Sequence, residues 1–193
     1  MPTVTYTVQA GLDDTYYYQD GPTLAYCYNA AAFLYIYYWA PPLEKTRIAR
    51  AGIRFTGVAL QGSRHIITGA YLRLRAYASS TTQVILITGH DENNTADYTA
   101  PNCNPDNRAK TTATVNWTTG GLTSGSWYNS DDLSAIVQEI IDRPAFGGPL
   151  GFALGPWSDK ESSFYSFEGG NPPELHITYE NRFAATPFQG YML

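Results

Sequence analysis

One stretch limits the folds open to this chain: Ser130-Asp131-Asp132-Leu133-Ser134-Ala135-Ile136-Val137-Gln138-Glu139-Ile140-Ile141-Asp142-Arg143-Pro144. Leu133, Ile136, Val137, Ile140 and Ile141 recur at the spacing of one helical face. Gln138, Glu139 and Asp142 are expected to face the other way. Asn129 or Ser130 is placed to cap the first turn, with Asp131 and Asp132 at the positive end of the helix dipole. Arg143 sits at the negative end, and Pro144 blocks continuation. The expected helix spans about residues 130–143. So short a helix is marginal alone in water, so its apolar stripe must lie on something. No other segment has a convincing helical period, and the rest reads as strands. The helix is therefore expected to roof the open end or one face of a β-sandwich.

The strands follow from alternation and composition. The 193 residues include 16 Tyr and 17 Gly against 2 Met, and Tyr favours half-buried strand positions and contact surfaces. Residues 3–10 alternate Val4, Tyr6 and Val8 against Thr3, Thr5 and Thr7, as in an edge strand. Residues 15–18 start a strand that Asp20-Gly21-Pro22 stops. In Phe33-Leu34-Tyr35-Ile36-Tyr37-Tyr38-Trp39, Tyr35 and Tyr37 share one face and Leu34, Ile36 and Tyr38 the other. Residues 47–55 form a strand in which Gly52 is placed for a bulge. In residues 70–77, Leu72, Leu74 and Ala76 face in. Residues 83–88 are continuously apolar, as in a central strand covered on both faces. Further strands are expected at 111–117, 150–154, 162–167 and 174–179, the last with Leu175, Ile177 and Tyr179 inward. The fold class is all-β, a jelly-roll-like antiparallel sandwich with one short amphipathic helix. Residues 1–12 read as an N-terminal arm or edge strand, 13–180 as the sandwich domain, and 181–193 as a C-terminal arm.

The net charge is −5. This argues against nucleic acid and anionic membranes as partners, because both need clustered Lys and Arg. No window reaches the apolar length of a membrane span. Met1 to Tyr6 show neither a basic n-region nor an apolar h-region, so no signal peptide is expected. The spacing of Cys27 and Cys103 leaves open a disulfide or two buried thiols; the expectation adopted is free thiols.

Few motifs carry chemistry. Nucleophile-elbow, phosphate-loop, zinc-protease and dinucleotide signatures are absent from the sequence. His65, His90 and His176 lie far apart, and His90-Asp91-Glu92 are adjacent residues that do not converge on an extended chain. Glu139, Glu161, Glu168 and Glu174 are the carboxylates available to a glycosidase pair, but nothing in their spacing brings them together. Asp13, Asp14 and Asp20 are weak candidates to bracket a Ca²⁺, or are plain turn residues; no other metal or cofactor is expected. The 89–110 stretch is the longest irregular segment, and such loops tend to be functional. The exposed-ring candidates are Tyr35, Tyr37, Trp157 and Tyr165. Their faces suit stacking on sugars or on a protein neighbour, and equally suit a wide aromatic core layer. Phe183, Phe188, Tyr191 and Leu193 make the C-terminal segment too apolar for a solvated tail, so it is expected to dock on a surface.

The order of these pieces resembles the DNRLRE-type modules, a family of carbohydrate-binding-like β-sandwich domains. Asp14-Thr15-Tyr16 looks like the family's opening strand, and Arg50-Ala51-Gly52-Ile53-Arg54-Phe55 like its second. Ile67-Thr68-Gly69-Ala70-Tyr71-Leu72-Arg73-Leu74 is similar to its I-x-x-A-x-L-x-L strand. Leu133-Ser134-Ala135-Ile136-Val137-Gln138 is similar to its helical turn. Ser166-Phe167-Glu168 with Pro173-Glu174-Leu175-His176-Ile177-Thr178-Tyr179 looks like its closing strand. The resemblance covers about four fifths of the chain and omits the 89–110 loop and both ends. It implies a jelly-roll fold and a non-catalytic role in phage virions or in secreted and cell-surface proteins. The leading expectation is a non-enzymatic virion structural or accessory protein, such as a capsid decoration, neck or tail component. It would pack on other virion proteins or on copies of itself, assembling in the host cytoplasm and ending in an extracellular particle. The alternatives are a module that binds surface glycans and, third, a small glycan-active enzyme.

Overall fold

The computed structural model describes residues 1–40, 46–99, 103–156 and 160–182. Its strands are β1 (Thr3–Thr7), β2 (Asp14–Asp20), β3 (Leu24–Tyr28), β4 (Phe33–Trp39), β5 (Arg47–Phe55), β6 (His65–Arg75), β7 (Val84–His90), β8 (Lys110–Thr118), β9 (Trp127–Asn129), β10 (Leu150–Pro156), β11 (Glu161–Tyr165) and β12 (Glu174–Asn181), with one α-helix, α1 (Ser134–Ile141). The fold is all-β and sandwich-like, as expected. A four-stranded sheet runs β1-β12-β6-β9, and an eight-stranded sheet runs β11-β4-β5-β10-β7-β8, with β2 joined to β5 and β3 to β2. Between them, Leu72, Leu74, Leu175 and Ile177 of the small sheet meet Ile53, Phe55, Ile85, Ile87, Phe152 and Leu154 of the large one, all fully buried. Among the described residues, no helix is long and apolar enough to cross a membrane.

Strand β5 is the pivot of the large sheet. β2 pairs along Arg47 to Ile53, while β4 takes Arg47 to Ala49 and β10 takes Ala51 to Phe55. β4 and β10 thus use one edge of β5 in succession and diverge. β4 leaves with β11 as its partner, and the bridge between Ala76 and Phe164 ties this pair back to the end of β6.

Helix α1 buries the expected stripe, with Leu133, Ile136, Val137, Ile140 and Ile141 at or near zero exposure. The approach is close: a Cβ on Gly89 would lie 2.7 Å from Ile136 Cγ2 and from Ile140 Cδ1. Two expectations are corrected. The helix starts at Ser134, not Ser130, and neither Asn129 nor Ser130 caps it. The preceding residues instead continue β9 along the edge of β6. The Ser130 N–H donates to Leu72 O (2.8 Å), and the Leu72 N–H to Ser130 Oγ (3.0 Å). The Ala70 N–H donates to Asp132 Oδ1 (2.9 Å), and the Leu133 N–H to Ala70 O (2.7 Å). Gln138 and Glu139 are not a solvated face either. Gln138 Oε1 accepts the Ile67 N–H (2.8 Å), and the two Glu139 oxygens accept the N–H groups of Thr112 (2.7 Å) and Ala113 (2.9 Å) on β8. The helix therefore closes one side of the sandwich by supplying acceptors to a strand edge in each sheet, a role that β9 begins. Unpaired edge N–H groups would otherwise invite another chain. Glu139→Ala is expected to cost roughly 2 kcal/mol by leaving two charge-assisted bonds unmade. Glu139→Gln, which keeps one acceptor oxygen, should recover about half of that; urea melts of the two variants check the difference.

Trp127 stands apart from the helix in the chain. It lies in β9, and the Arg73 guanidinium sits over its ring at 4.7 Å.

Candidate functional site

The split at β5 opens a groove. On one side is the β2–β3 hairpin, on the other the β4–β11 pair, and the segment after β6 closes the end. Its volume is about 400 Å³, and its lining is Tyr16, Tyr18, Tyr28, Phe33, Tyr35, Tyr77, Ala78 and Ser163. Strand register explains the lining. Tyr16 stands opposite Tyr28 across the hairpin, and Tyr18 opposite Tyr26, so alternate residues of both strands share a face. On β4, Leu34 and Ile36 enter the core, so Phe33, Tyr35 and Tyr37 point the other way. Tyr77 arrives because its N–H donates to Ser163 O (2.9 Å).

The rings form a continuous cluster rather than isolated contacts, with Tyr35 edge-on to Tyr16 (6.2 Å, 76°) and to Phe33 (6.3 Å, 86°). Tyr16 stacks on Tyr28 (centroids 4.4 Å apart, planes 9° apart) and on Phe33 (5.7 Å, 15°). Phe33 stacks on Tyr77 (4.7 Å), and Tyr77 meets Tyr165 edge-on (5.1 Å). Tyr35 stacks on Tyr37 (5.6 Å), carrying the row outside the groove. Tyr35 Oη donates to Glu161 Oε2 at 2.7 Å. Burial, then the hydrogen bond to Glu161, pushes the Tyr35 phenol far above its ordinary value. Burial and Tyr28 push Tyr16 up to about 12. These phenols stay neutral at physiological pH; the Tyr35 O–H is spent on Glu161, leaving its lone pairs to accept.

Of the ring candidates named from sequence, only Tyr35 lines the groove; Tyr37 and Tyr165 lie beside it, against Tyr35 and Tyr77. Trp157 lies outside the described residues, as do Phe183, Phe188, Tyr191 and Leu193. Tyr16, Tyr28 and Tyr77 were not singled out. The first two carried a readable signal, since Tyr16, Tyr18, Tyr26 and Tyr28 are spaced symmetrically about Pro22, as in a hairpin with one aromatic face. Tyr77 carried none, because its placement depends on a bridge between the two sheets.

The other chemistry-bearing residues form a buried polar knot behind β5. The described parts of the loop, residues 91–99 and 103–109, fold over the far face of the large sheet, with Tyr98 against Gly52 and Asp106 paired to Arg50. Tyr98 is fully buried; its hydroxyl lies 2.9 Å from His90 Nε2 and 3.3 Å from Phe152 O. Gly52 is no bulge: it is regularly paired and gives Tyr98 the space a side chain would fill. Arg54 pairs with Asp13 and also donates from Nε to Thr95 O (2.7 Å). The Arg108 guanidinium lies 4.4 Å from the centre of the Tyr98 ring.

Cys27 and Cys103 form a disulfide (Cα–Cα 6.0 Å) that ties the loop to β3, which corrects the expectation of free thiols. β3 runs antiparallel to β2 with Cys27 opposite Tyr17, pointing away from the aromatic face and toward the loop. The adjacent residues His90, Asp91 and Glu92 diverge: His90 goes inward, Asp91 pairs with Arg143, and Glu92 with Arg108 (3.6 Å). Nor do Asp13, Asp14 and Asp20 converge on a cation. Asp13 faces Arg54, Asp14 accepts the Phe167 N–H (2.8 Å), and Asp20 pairs with Arg47 (3.4 Å) at the other end of β2. Among the described residues, no three His, Cys, Asp or Glu side chains are grouped to hold a metal.

This knot has a distinctive pH signature. Burial raises Asp14 to about 7 from 3.8, with Glu168 and Asp13 adding and the Phe167 amide opposing. Burial, then Arg108 and Lys110, lowers His90 to about 3 from 6.5. A raised carboxyl pKa gives stability that is present below 3.8 and lost as pH rises through about 7. A lowered imidazole pKa gives stability that is present above 6.5 and lost as pH falls toward about 3. The two slopes oppose each other over about pH 4 to 6.5. Asp14→Asn keeps the acceptor for Phe167 and removes one slope. The variant is expected to gain stability steadily over that range, and to exceed the wild type at about pH 8 while matching it at about pH 3. Urea midpoints across the series check it.

Comparison with models of known protein families gives no match, and comparison with curated proteins gives none.

Proposed function

We propose that this protein is a non-catalytic recognition module whose aromatic groove holds a saccharide ring. One observation carries the reading: a concave groove lined by contiguous aromatic rings, Tyr35 standing edge-on to its stacked neighbours, with hydroxyls and the Glu161 carboxylate at its rim. A pyranose offers a C–H face to stack on such rings and hydroxyls to bond at their edges. Among the described residues, no Leu, Ile, Val or Met lines the groove, so an apolar peptide would find little aliphatic surface to fit there. A glycan array followed by calorimetric titration of the best hit tests this. Tyr35→Ala is expected to weaken binding by about tenfold or more, equivalent to about 1.4 kcal/mol, read at a temperature where the variant is fully folded. Undiminished binding would overturn the reading.

A second reading concerns where the module works: a phage particle, as a structural or accessory component packed on a capsid, neck or tail lattice. It rests on the resemblance to DNRLRE-type modules and on the apolar content of residues 183–193. The Cys27–Cys103 disulfide suits a protein that meets oxidising surroundings. Truncation after Arg182 is expected to abolish incorporation into particles; normal incorporation would remove the role of the terminal segment.

A further inference from the structure

The aromatic row is longer than the groove. It starts at Tyr26, which is 45% exposed, and passes to Tyr28 (centroids 6.4 Å apart) before dropping to the nearly buried Tyr16. Beyond Phe33 it rises again to Tyr77, 39% exposed, and on to Tyr165. Neighbouring centroids stay between 4.4 and 6.4 Å apart along the whole path. A single sugar seated over Tyr16 would leave the outer rings idle in water, and contiguous exposed apolar surface marks a contact site.

Charge narrows the ligand further. Among the described residues, no charged side chain is in the groove's lining. Glu161 stands at its rim, holding Tyr35. Arg75, at the Tyr165 end, is already engaged: its guanidinium lies over the Tyr165 ring (5.6 Å), and it donates to Gly125 O (2.8 Å) and to Asn171. A uronate or sulfate would face the Glu161 carboxylate with no cation among the described lining residues to receive it.

We infer that the site is elongated and takes a linear, uncharged oligosaccharide along its chain, spanning from Tyr26 to Tyr77. This rests on the saccharide reading of the groove. The test is calorimetry on the full chain with gluco- and manno-oligosaccharides of two to six units, and with oligogalacturonate of the same lengths. For the neutral series that binds, affinity should rise about tenfold between two and five units and then level off. Tyr26→Ala, at an exposed edge position, should return the pentasaccharide to the disaccharide's affinity while leaving the disaccharide unchanged. Tyr77→Ala, in the groove lining itself, should weaken both lengths. Oligogalacturonate should bind at least about tenfold more weakly than the neutral chain. Equal affinity for two and five units, with Tyr35→Ala still weakening both, would overturn the elongated site and leave the groove standing. A preference for oligogalacturonate would overturn the uncharged ligand. Binding by none of the three series, or binding indifferent to Tyr35→Ala, would overturn the groove reading and the inference together.

Discussion

Gly52→Val is expected to release the 89–110 loop from the sheet and to destabilise the protein by about 3 kcal/mol or more. A Cβ at this position would sit 2.6 Å from Tyr98 Cε1 and Cζ. Neither side can yield cheaply. β5 is paired at this position on both edges, Gly52 facing Thr15 on one side and Ala153 on the other. The Tyr98 hydroxyl is committed to His90 and Phe152, and its N–H donates to Leu12 O (2.9 Å). The only relief is for the ring to leave. That opens the buried site and strands the His90 imidazole beside polar groups it no longer satisfies. A thermal melt should show the loss, and limited proteolysis should show new cleavage within residues 89–110. A Gly52→Val protein that melts like the wild type and resists nicking would mean that Tyr98 does not anchor the loop.

Removing the disulfide is expected to be of similar size. Cys27 and Cys103 are separated by 76 residues, and closing a loop of that length is worth about 4 kcal/mol in the chain-entropy model, with measured values typically about 2 to 4. The bond also joins the loop to the hairpin that forms one wall of the aromatic groove. The double variant Cys27→Ser, Cys103→Ser should therefore lose stability and weaken glycan binding together, because β3 has no strand beyond it among the described residues. Gly52→Val disturbs the same loop from its other anchor, so its effect should add less than fully to that of the double variant. Urea denaturation under oxidising and reducing conditions separates the cases. A wild type indifferent to reductant would show that the bond contributes nothing to the fold.

Much of the architecture was legible before any coordinates. Alternation identified β4, where Leu34 and Ile36 are buried and Tyr35 and Tyr37 are not. It also read the core half of β6 correctly, with Leu72, Leu74 and Ala76 at zero exposure. The helical stripe from Leu133 to Ile141 was right residue by residue. The helix cap was misread for a physical reason: Ser130 and Asp132 prefer to bond backbone N–H groups, but sequence does not say whose. Here the recipients are strand-edge amides of Leu72 and Ala70, brought close only once the sandwich has formed. Glu139 looked solvent-facing for the same reason. The site was half visible. Tyr35, Tyr37 and Tyr165 were named, whereas Tyr16, Tyr28 and Tyr77 depend on a hairpin register and a bridge between sheets.

The 16 tyrosines, the period-two strands and the single amphipathic stretch determine, without coordinates, an all-β body with one helix against it. They do so because side-chain direction along a strand or helix is a local property of the backbone. Which tyrosines meet, which cysteines pair and which acids face arginine were decided only by the tertiary structure. Those contacts join residues far apart in the chain, and their partners are chosen by the divergence of β4 from β10 along a single strand edge.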